Sequence, residues 1–360
     1  MPPEIASTSA TQSGPKTRYK ISLSGIVRLS EYHIAKELLT GLQQYCKDRG
    51  TNEVTLVSTT PYFDFEYKDA CLSSKNEAGN LVEPLFPSTY TVIETHVDQS
   101  ITREYVNLEM LVTWSRRVFP GFSAVFKTED EYTSIAQAEF QAKLATIKNP
   151  IVHMSLKLDG QNVPGKLYIE LYQDTCPETV KHFLSFIQKA KPADEPKKPI
   201  ESIKEETEPV QVQEGTPGEN KEADATQEVA PGKETEDGKP FAPNYIGTKF
   251  LRLVSDGWIQ GGDIIDPSTN LSITSPVLVD ENYVVRHDTR GTISMVNRGP
   301  NTNVSSFMFL LASKMEYFDG KYVAFGRIRD GDTLLQGLES LETRFERIVS
   351  DVSVADIGVL

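Results

Sequence analysis

Polar and apolar residues alternate through Tyr19-Lys-Ile-Ser-Leu-Ser-Gly-Ile-Val27, the period of two expected of a strand with one buried face. Ser30 then stands where an N-cap stands, and Ile34, Leu38, Leu42 and Tyr45 recur at near-helical spacing. Residues 54–57 predict a second strand and residues 90–97 a third. A helix follows over 106–119, with Met110, Leu111 and Trp114 among its apolar positions, and another over 129–147 leads out of the segment. A β-α-β start followed by more strand and helix predicts a small α/β domain over residues 18–148.

A second patterned segment begins at Ile151. Residues 151–158 alternate, Asp159-Gly160 marks a turn, and residues 166–172 alternate again, which is the pattern of a hairpin. Cys176-Pro177-Glu178 opens a helix, because proline is tolerated in a first turn, and Val180, Phe183, Leu184 and Ile187 form its apolar face. Short β-rich runs at 250–254, 292–296, 306–311 and 322–328 are broken by Gly, Asp and Asn. Many short strands with few helices predict a closed β-barrel.

Two stretches carry no periodicity. Residues 1–17 are rich in Ser, Thr and Pro and predict a disordered tail. Residues 191–240 hold 14 Asp or Glu against 7 Lys and 7 of the chain's 21 prolines, with no aromatic residue. Such a composition buries too little apolar surface to offset its ordering entropy, so a disordered acidic insertion is expected there. It splits the second domain, which spans 151–360.

Charge and cysteine content narrow the function classes. A net charge of −14 argues against nucleic acid, since phosphate binding needs surplus Lys and Arg, and against an anionic membrane surface. No apolar run approaches the ~18–20 residues that span a bilayer. Cys46, Cys71 and Cys176 are widely spaced, with no CxxC pair, so neither a metal site nor a disulfide framework is expected, and a reduced, cytoplasmic compartment fits.

Six motifs in the second segment resemble the cyclophilin family in order and spacing. They are Gly257-Trp-Ile-Gln-Gly-Gly-Asp263, Asp280-Glu-Asn-Tyr283, Gly291-Thr-Ile-Ser-Met-Val-Asn297, Gly299-Pro-Asn-Thr-Asn303, Phe318-Asp-Gly-Lys-Tyr-Val-Ala-Phe-Gly326 and Val354-Ala-Asp-Ile-Gly358. The opening runs Gly165-Lys-Leu-Tyr-Ile-Glu-Leu-Tyr172 and Pro177-Glu-Thr-Val-Lys-His-Phe183 also match the family's start. The resemblance implies an eight-stranded barrel capped by two helices, and peptidyl-prolyl cis-trans isomerase (rotamase) chemistry, the class that assists protein folding. The first segment loosely resembles the thioredoxin and glutaredoxin folds. Its first strand-to-helix turn reads Val27-Arg-Leu-Ser-Glu31, without the thiols those families carry there. The whole layout resembles divergent cyclophilins of ciliary axonemes, including a radial-spoke member.

Isomerisation must cross a barrier of ~18–20 kcal/mol set by amide resonance. It needs an apolar seat for the proline ring and a charged donor that binds the twisted state better than the planar one. No nucleophile, metal or cofactor takes part. The resemblance places Arg252 at the catalytic position, with Leu251 where the family has histidine. It places Gln260 on substrate backbone and Asn297 as a residue whose backbone pairs with the peptide. The remaining peptide-binding positions depart from the family. Gly257 replaces a pocket phenylalanine and Trp258 a methionine, and Val296 replaces alanine. Ser306 replaces glutamine, Met308 a second phenylalanine and Phe318 leucine. Tyr317 stands for tryptophan and Tyr322 for histidine. An electrophile kept in a rebuilt pocket implies binding of proline-containing protein segments with weak or no turnover. The partners expected are axonemal or cytoskeletal proteins of a cilium or flagellum; the alternative is a free cytosolic, active isomerase.

Overall fold

A computed structural model describes residues 17–73, 88–187 and 242–360. The acidic insertion at 191–240 and all but the last residue of the tail at 1–17 lie outside the described residues.

The N-terminal α/β region is built on a four-stranded sheet ordered β2-β1-β3-β4. These strands are β1 (Arg18–Ile26), β2 (Val54–Tyr62), β3 (Thr89–Val97) and β4 (Ser100–Val106). β2 runs parallel to β1, while β3 is antiparallel to both β1 and β4. Ile21 and Leu23 of β1 point into a core shared with α1 (Ser30–Asp48) and α3 (Leu108–Val118). The residue at the N-cap of α1 is Leu29, which makes no side-chain cap bond, so Ser30 begins the helix rather than capping it. The buried stripe of α1 runs through Ala35, Leu38, Leu39, Leu42 and Cys46, a phase that leaves Ile34 and Tyr45 half-buried at its edges.

The predicted helix over 106–119 starts later than expected. Val106 closes β4, and Asn107 caps α3 by accepting from the Met110 amide at 2.9 Å, which turns Met110 outward and Leu111 and Trp114 inward. α4 (Glu129–Leu144) carries a reciprocal capping box between Thr128 and Glu131 and stops short of Ile147. Among the described residues of this region, two elements lay outside the expected set: β4 and α2 (Asp64–Ser73).

The second sheet has 11 strands. Its path runs Thr343–Arg344, Arg347–Ile348, Arg252–Val254, Trp258–Gly261, Phe307–Leu310, Thr292–Met295, Ala324–Asp330, Leu167–Leu171, Ile151–Leu158 and Val352–Val359, and the eleventh strand, Gln161–Asn162, pairs with Ile151–Leu158 off that path. An antiparallel bridge from Lys249 to Ser353, with the Phe250 amide on the Val352 carbonyl at 2.9 Å, brings the last strand back to the Arg252 side. The enclosed space is filled by Phe183 of α5 (Pro177–Ser185), Leu335 of α6 (Asp332–Glu339), and Phe307, Phe309 and Phe325.

α2 belongs to both regions. Tyr67 and Cys71 pack back onto Ile26 and Tyr90, while Phe65 is buried in the core of the second sheet. Phe65 lies so close to Gly291 that a Cβ there would stand 2.8 Å from its ring, and Gly291 has φ +83°. Only glycine accommodates both the backbone and the ring.

Candidate functional site

Strand alternation sorts the side chains of Phe307–Leu310 onto two faces. Phe307 and Phe309 enter the main core, whereas Met308 and Leu310 turn to the other face and pack with Met315, Phe318, Trp258 and Tyr322. Register extends that face across the sheet. Gln260 lies opposite Met308, Trp258 opposite Leu310, and Arg252 opposite Gln260. The result is a groove holding a cavity of about 450 Å³.

The structure brings nine of the ten expected site residues to this cavity. Trp258, Met308, Phe318 and Tyr322, with Val296 packed against them, form its apolar end, and Arg252, Gln260, Asn297 and Ser306 bring polar side chains to it. The Val296 amide donates to the Ser306 carbonyl at 2.8 Å. Asn297 is held by its own side chain: Nδ2 donates to the Lys321 carbonyl at 2.8 Å and Oδ1 accepts from the Gly299 amide at 3.3 Å. Tyr317 does not line the cavity. It is half exposed and its ring lies tilted against Phe318, with centroids 4.4 Å apart.

The apolar end is crowded. The Trp258 ring meets Phe318 edge-on at 5.1 Å, and Tyr322 meets it at 5.2 Å from another side. Phe318 and Met308 are buried. At Gly257, an added Cβ would meet Val254 Cγ1 at 3.0 Å and the Val254 carbonyl at 3.1 Å, so this position closes a tight turn and has little room for a side chain. Trp258 therefore supplies the aromatic surface at this end.

Arg252 is half exposed and donates from Nε and Nη2 to Glu346 Oε2 at 2.9 and 2.6 Å, with its guanidinium 5.3 Å from the Trp258 ring centroid. Glu346 was not among the expected site residues, and nothing in its immediate sequence marks it. It reaches Arg252 through the pairing of Arg347 with Arg252 across the sheet. Arg298, Asp263 and Thr302 also line the cavity without having been foreseen. Asp263 Oδ2 accepts the Ser272 hydroxyl at 2.6 Å. Their signal was adjacency, since Asp263 and Arg298 extend the motifs that carry Gln260 and Asn297.

Beneath the groove, His287 Nδ1 lies 2.9 Å from Asp319 Oδ1 and its Nε2 lies 3.0 Å from the Ser294 hydroxyl. This is a Ser-His-Asp arrangement by distance, yet Ser294 is 0% and His287 1% exposed, so no substrate carbonyl can approach. Burial holds His287 below its ordinary pKa despite the Asp319 carboxylate. The arrangement anchors Asp319 next to Phe318 and so fixes the apolar wall. Among the described residues no cluster of three or more His, Cys, Asp or Glu could hold a metal ion, and no helix is long and apolar enough to cross a membrane.

The groove thus offers a charged planar donor, a side-chain amide and an aromatic seat, and the one serine paired with a His-Asp couple, Ser294, is buried away from it. Comparison with known proteins agrees with that chemistry. The family profile described as "Cyclophilin type peptidyl-prolyl cis-trans isomerase/CLD" matches residues 153–359. The chain is 26% identical over 353 residues to the "Probable inactive peptidyl-prolyl cis-trans isomerase-like 6" of Bos taurus, covering 97% of this chain and 96% of that protein. It is 25% identical over 354 residues to the Mus musculus protein of the same name, covering 96% and 93%. It is 30% identical over 223 residues to the Homo sapiens one, covering 61% and 57%. The chain belongs to the cyclophilin-type peptidyl-prolyl cis-trans isomerase family, as a divergent member.

Proposed function

We propose that this protein holds proline-containing protein segments in its groove with weak or no turnover, as a built-in cytoplasmic subunit of the ciliary or flagellar axoneme. The observation that carries the binding half is the groove itself. Arg252 and Gln260 face each other across a strand pair, while Trp258 packed on Phe318 narrows the seat a proline ring would take. Binding needs only that contacts form, whereas turnover needs contacts that strengthen in the twisted state, and a constricted seat works against the larger motion. The relatives matched over nearly their full length carry names that describe them as probable inactive isomerases, which fits this reading.

The second half rests on the N-terminal region. We read residues 18–148 as a thioredoxin-like domain, supported by the β2-β1-β3-β4 order with one parallel pair, and residues 151–360 as the family's eight-stranded barrel capped by α5 and α6, its strands being the eight along the path from Arg252–Val254 to Val352–Val359. Cys46 and Cys71 are buried, so the first domain offers surface rather than redox chemistry. Two domains locked through α2 present two faces in fixed geometry, and bivalent attachment turns two modest contacts into firm retention. Tagging the protein in a ciliated cell and extracting with detergent tests this. Retention with the axoneme until high salt is expected, and complete release into the detergent-soluble fraction would overturn it.

A further inference from the structure

We propose that Glu346 is a clasp on Arg252 that restrains the groove's affinity for proline peptides, an inference resting on the reading of the groove as a peptide site. Glu346 sits at the tip of the hairpin joining Thr343–Arg344 to Arg347–Ile348. The two central residues of that turn, Phe345 and Glu346, have φ of +50° and +64°. Both therefore lie in the left-handed region, where Asn and Gly are the usual occupants of a two-residue hairpin.

The strain is not offset by packing of the tip, since Phe345 is fully exposed. What the turn does deliver is the carboxylate. The Leu253 amide donates to the Glu346 carbonyl at 2.8 Å and Arg347 pairs with Arg252, so the backbone holds Glu346 beside the guanidinium. Strained non-glycine residues persist where the surrounding structure over-determines them, and they cluster at functional sites.

The consequence is electrostatic. A carboxylate taking two N–H groups of Arg252 occupies part of its donor fork and offsets its charge. A peptide in the groove meets a guanidinium with donors left on Nη1 but its charge offset, and gains the full interaction only after the pair is loosened. Both side chains are 49% exposed, which makes the pair weak and screenable, and therefore releasable. Glu346 is thus a positioning residue that acts through Arg252.

The test uses the full chain and an uncharged capped Ala-Ala-Pro-Phe tetrapeptide, with affinity followed by NMR titration. At low salt Glu346→Gln should bind about two- to fivefold tighter than the unaltered protein, the range an exposed ion pair supports. High salt should close that gap by screening the pair. In the Arg252→Ala background Glu346→Gln should change nothing, whereas a purely structural role for the hairpin would persist there. Equal or weaker binding by Glu346→Gln, or a gain that survives Arg252→Ala, would overturn the clasp while leaving the groove a peptide site. Absence of any groove-residue shift in every variant would remove the peptide-site reading and the clasp with it.

Discussion

The backbone amide of Asp64 donates to Oδ1 of Asp330 at 3.3 Å, joining the first turn of α2 to the end of a strand in the other region. Arg28 bridges the two carboxylates, with Nε 3.0 Å from Asp330 Oδ1 and Nη2 3.3 Å from Asp64 Oδ2. Asp64 Oδ2 also accepts the amides of Gly331 and Asp332 at 2.9 and 2.8 Å. Gly331, the N-cap residue of α6, has no side chain to offer, so the cap of a helix in one region comes from the other. Arg327 on Asp69, Lys68 on Asp332 and the buried Phe65 extend the same seam.

The seam should weaken as pH rises. Burial, then the Asp64 carboxylate, pushes Asp330 up from 3.8 to about 7, against the opposing pull of Arg28. Burial raises Asp64 as well, although Arg28 and two backbone amides counter it. Asp332, Lys68 and Tyr168 complete the charged and titratable surroundings. Between the unfolded value and about 7 the folded protein binds more protons than the unfolded one, so this contribution is fully present below the unfolded value and lost as pH climbs through the folded one. The thermal midpoint should fall from pH 5 to pH 8, within about one pH unit of the titration window. Asp330→Asn, which keeps an acceptor for Arg28 and the Asp64 amide, should flatten the profile. An unaltered slope in Asp330→Asn would place the titration elsewhere.

Phe65 is the apolar half of the seam. Its ring is buried in the second core beneath the Arg327 guanidinium, 5.8 Å away, and against Gly291. Phe65→Ala should cost about 3–5 kcal/mol, because cavity and lost transfer energy add. Denaturant unfolding should be a single transition in the unaltered protein and should separate into two in Phe65→Ala. A cost below about 1 kcal/mol would mean that the regions are not held through this side chain.

The same residue shows why part of the fold was hidden in the sequence. A helix that buries one stripe announces itself, as α1 does through Leu38 and Leu42. α2 buries Phe65 in one core and Tyr67 and Cys71 in another, so its apolar positions spread around the axis. The sequence pattern therefore gave no helix there. The groove was more legible, because Gln260 and Asn297 lie in motifs whose order is visible along the chain, and Arg252 lies in the short run at 250–254 just before the first of them. Glu346 was not, because its place depends on which strand the hairpin pairs with, a long-range fact that no local pattern encodes. Likewise the space vacated at Gly257 reads as a gap in the sequence, yet the fold leaves little room there.

The N-terminal region should show no thiol-disulfide activity. Cys46 and Cys71 are buried, and burial raises the Cys46 thiol above its ordinary pKa, which lowers the thiolate fraction that attacks disulfides. The turn after β1 carries no thiol and places Val27 and Arg28 toward packing and the seam. Insulin reduction above background that is lost in Cys46→Ser or Cys71→Ser would contradict this.

Isomerase turnover should be limited by the seat rather than by the charge. Arg252→Ala should weaken peptide binding and abolish any turnover, and Arg252→Lys should not restore turnover, since an ammonium lacks the planar fork. Filling Gly257 with phenylalanine, the direct route suggested by the family, should instead destabilise the protein, because the added Cβ would crowd Val254. The productive change lies at the constriction, where Phe318 meets Trp258, Tyr317 and Tyr322. Phe318→Leu together with Trp258→Met should reopen the seat. Admitting one or two more buried methylenes of the proline ring, at about 0.8 kcal/mol each, should tighten tetrapeptide binding roughly four- to fifteenfold. Some fold stability should be lost in exchange, about 1–3 kcal/mol from the removed aromatic contacts. A coupled isomerase assay on the unaltered chain, the double variant and the double variant carrying Arg252→Ala separates the two causes. Turnover that rises in the double variant and vanishes again with Arg252→Ala would show a working electrophile behind a narrowed seat. Turnover already at the level of an ordinary cyclophilin in the unaltered chain would show that the Trp258–Phe318 contact does not restrict the proline.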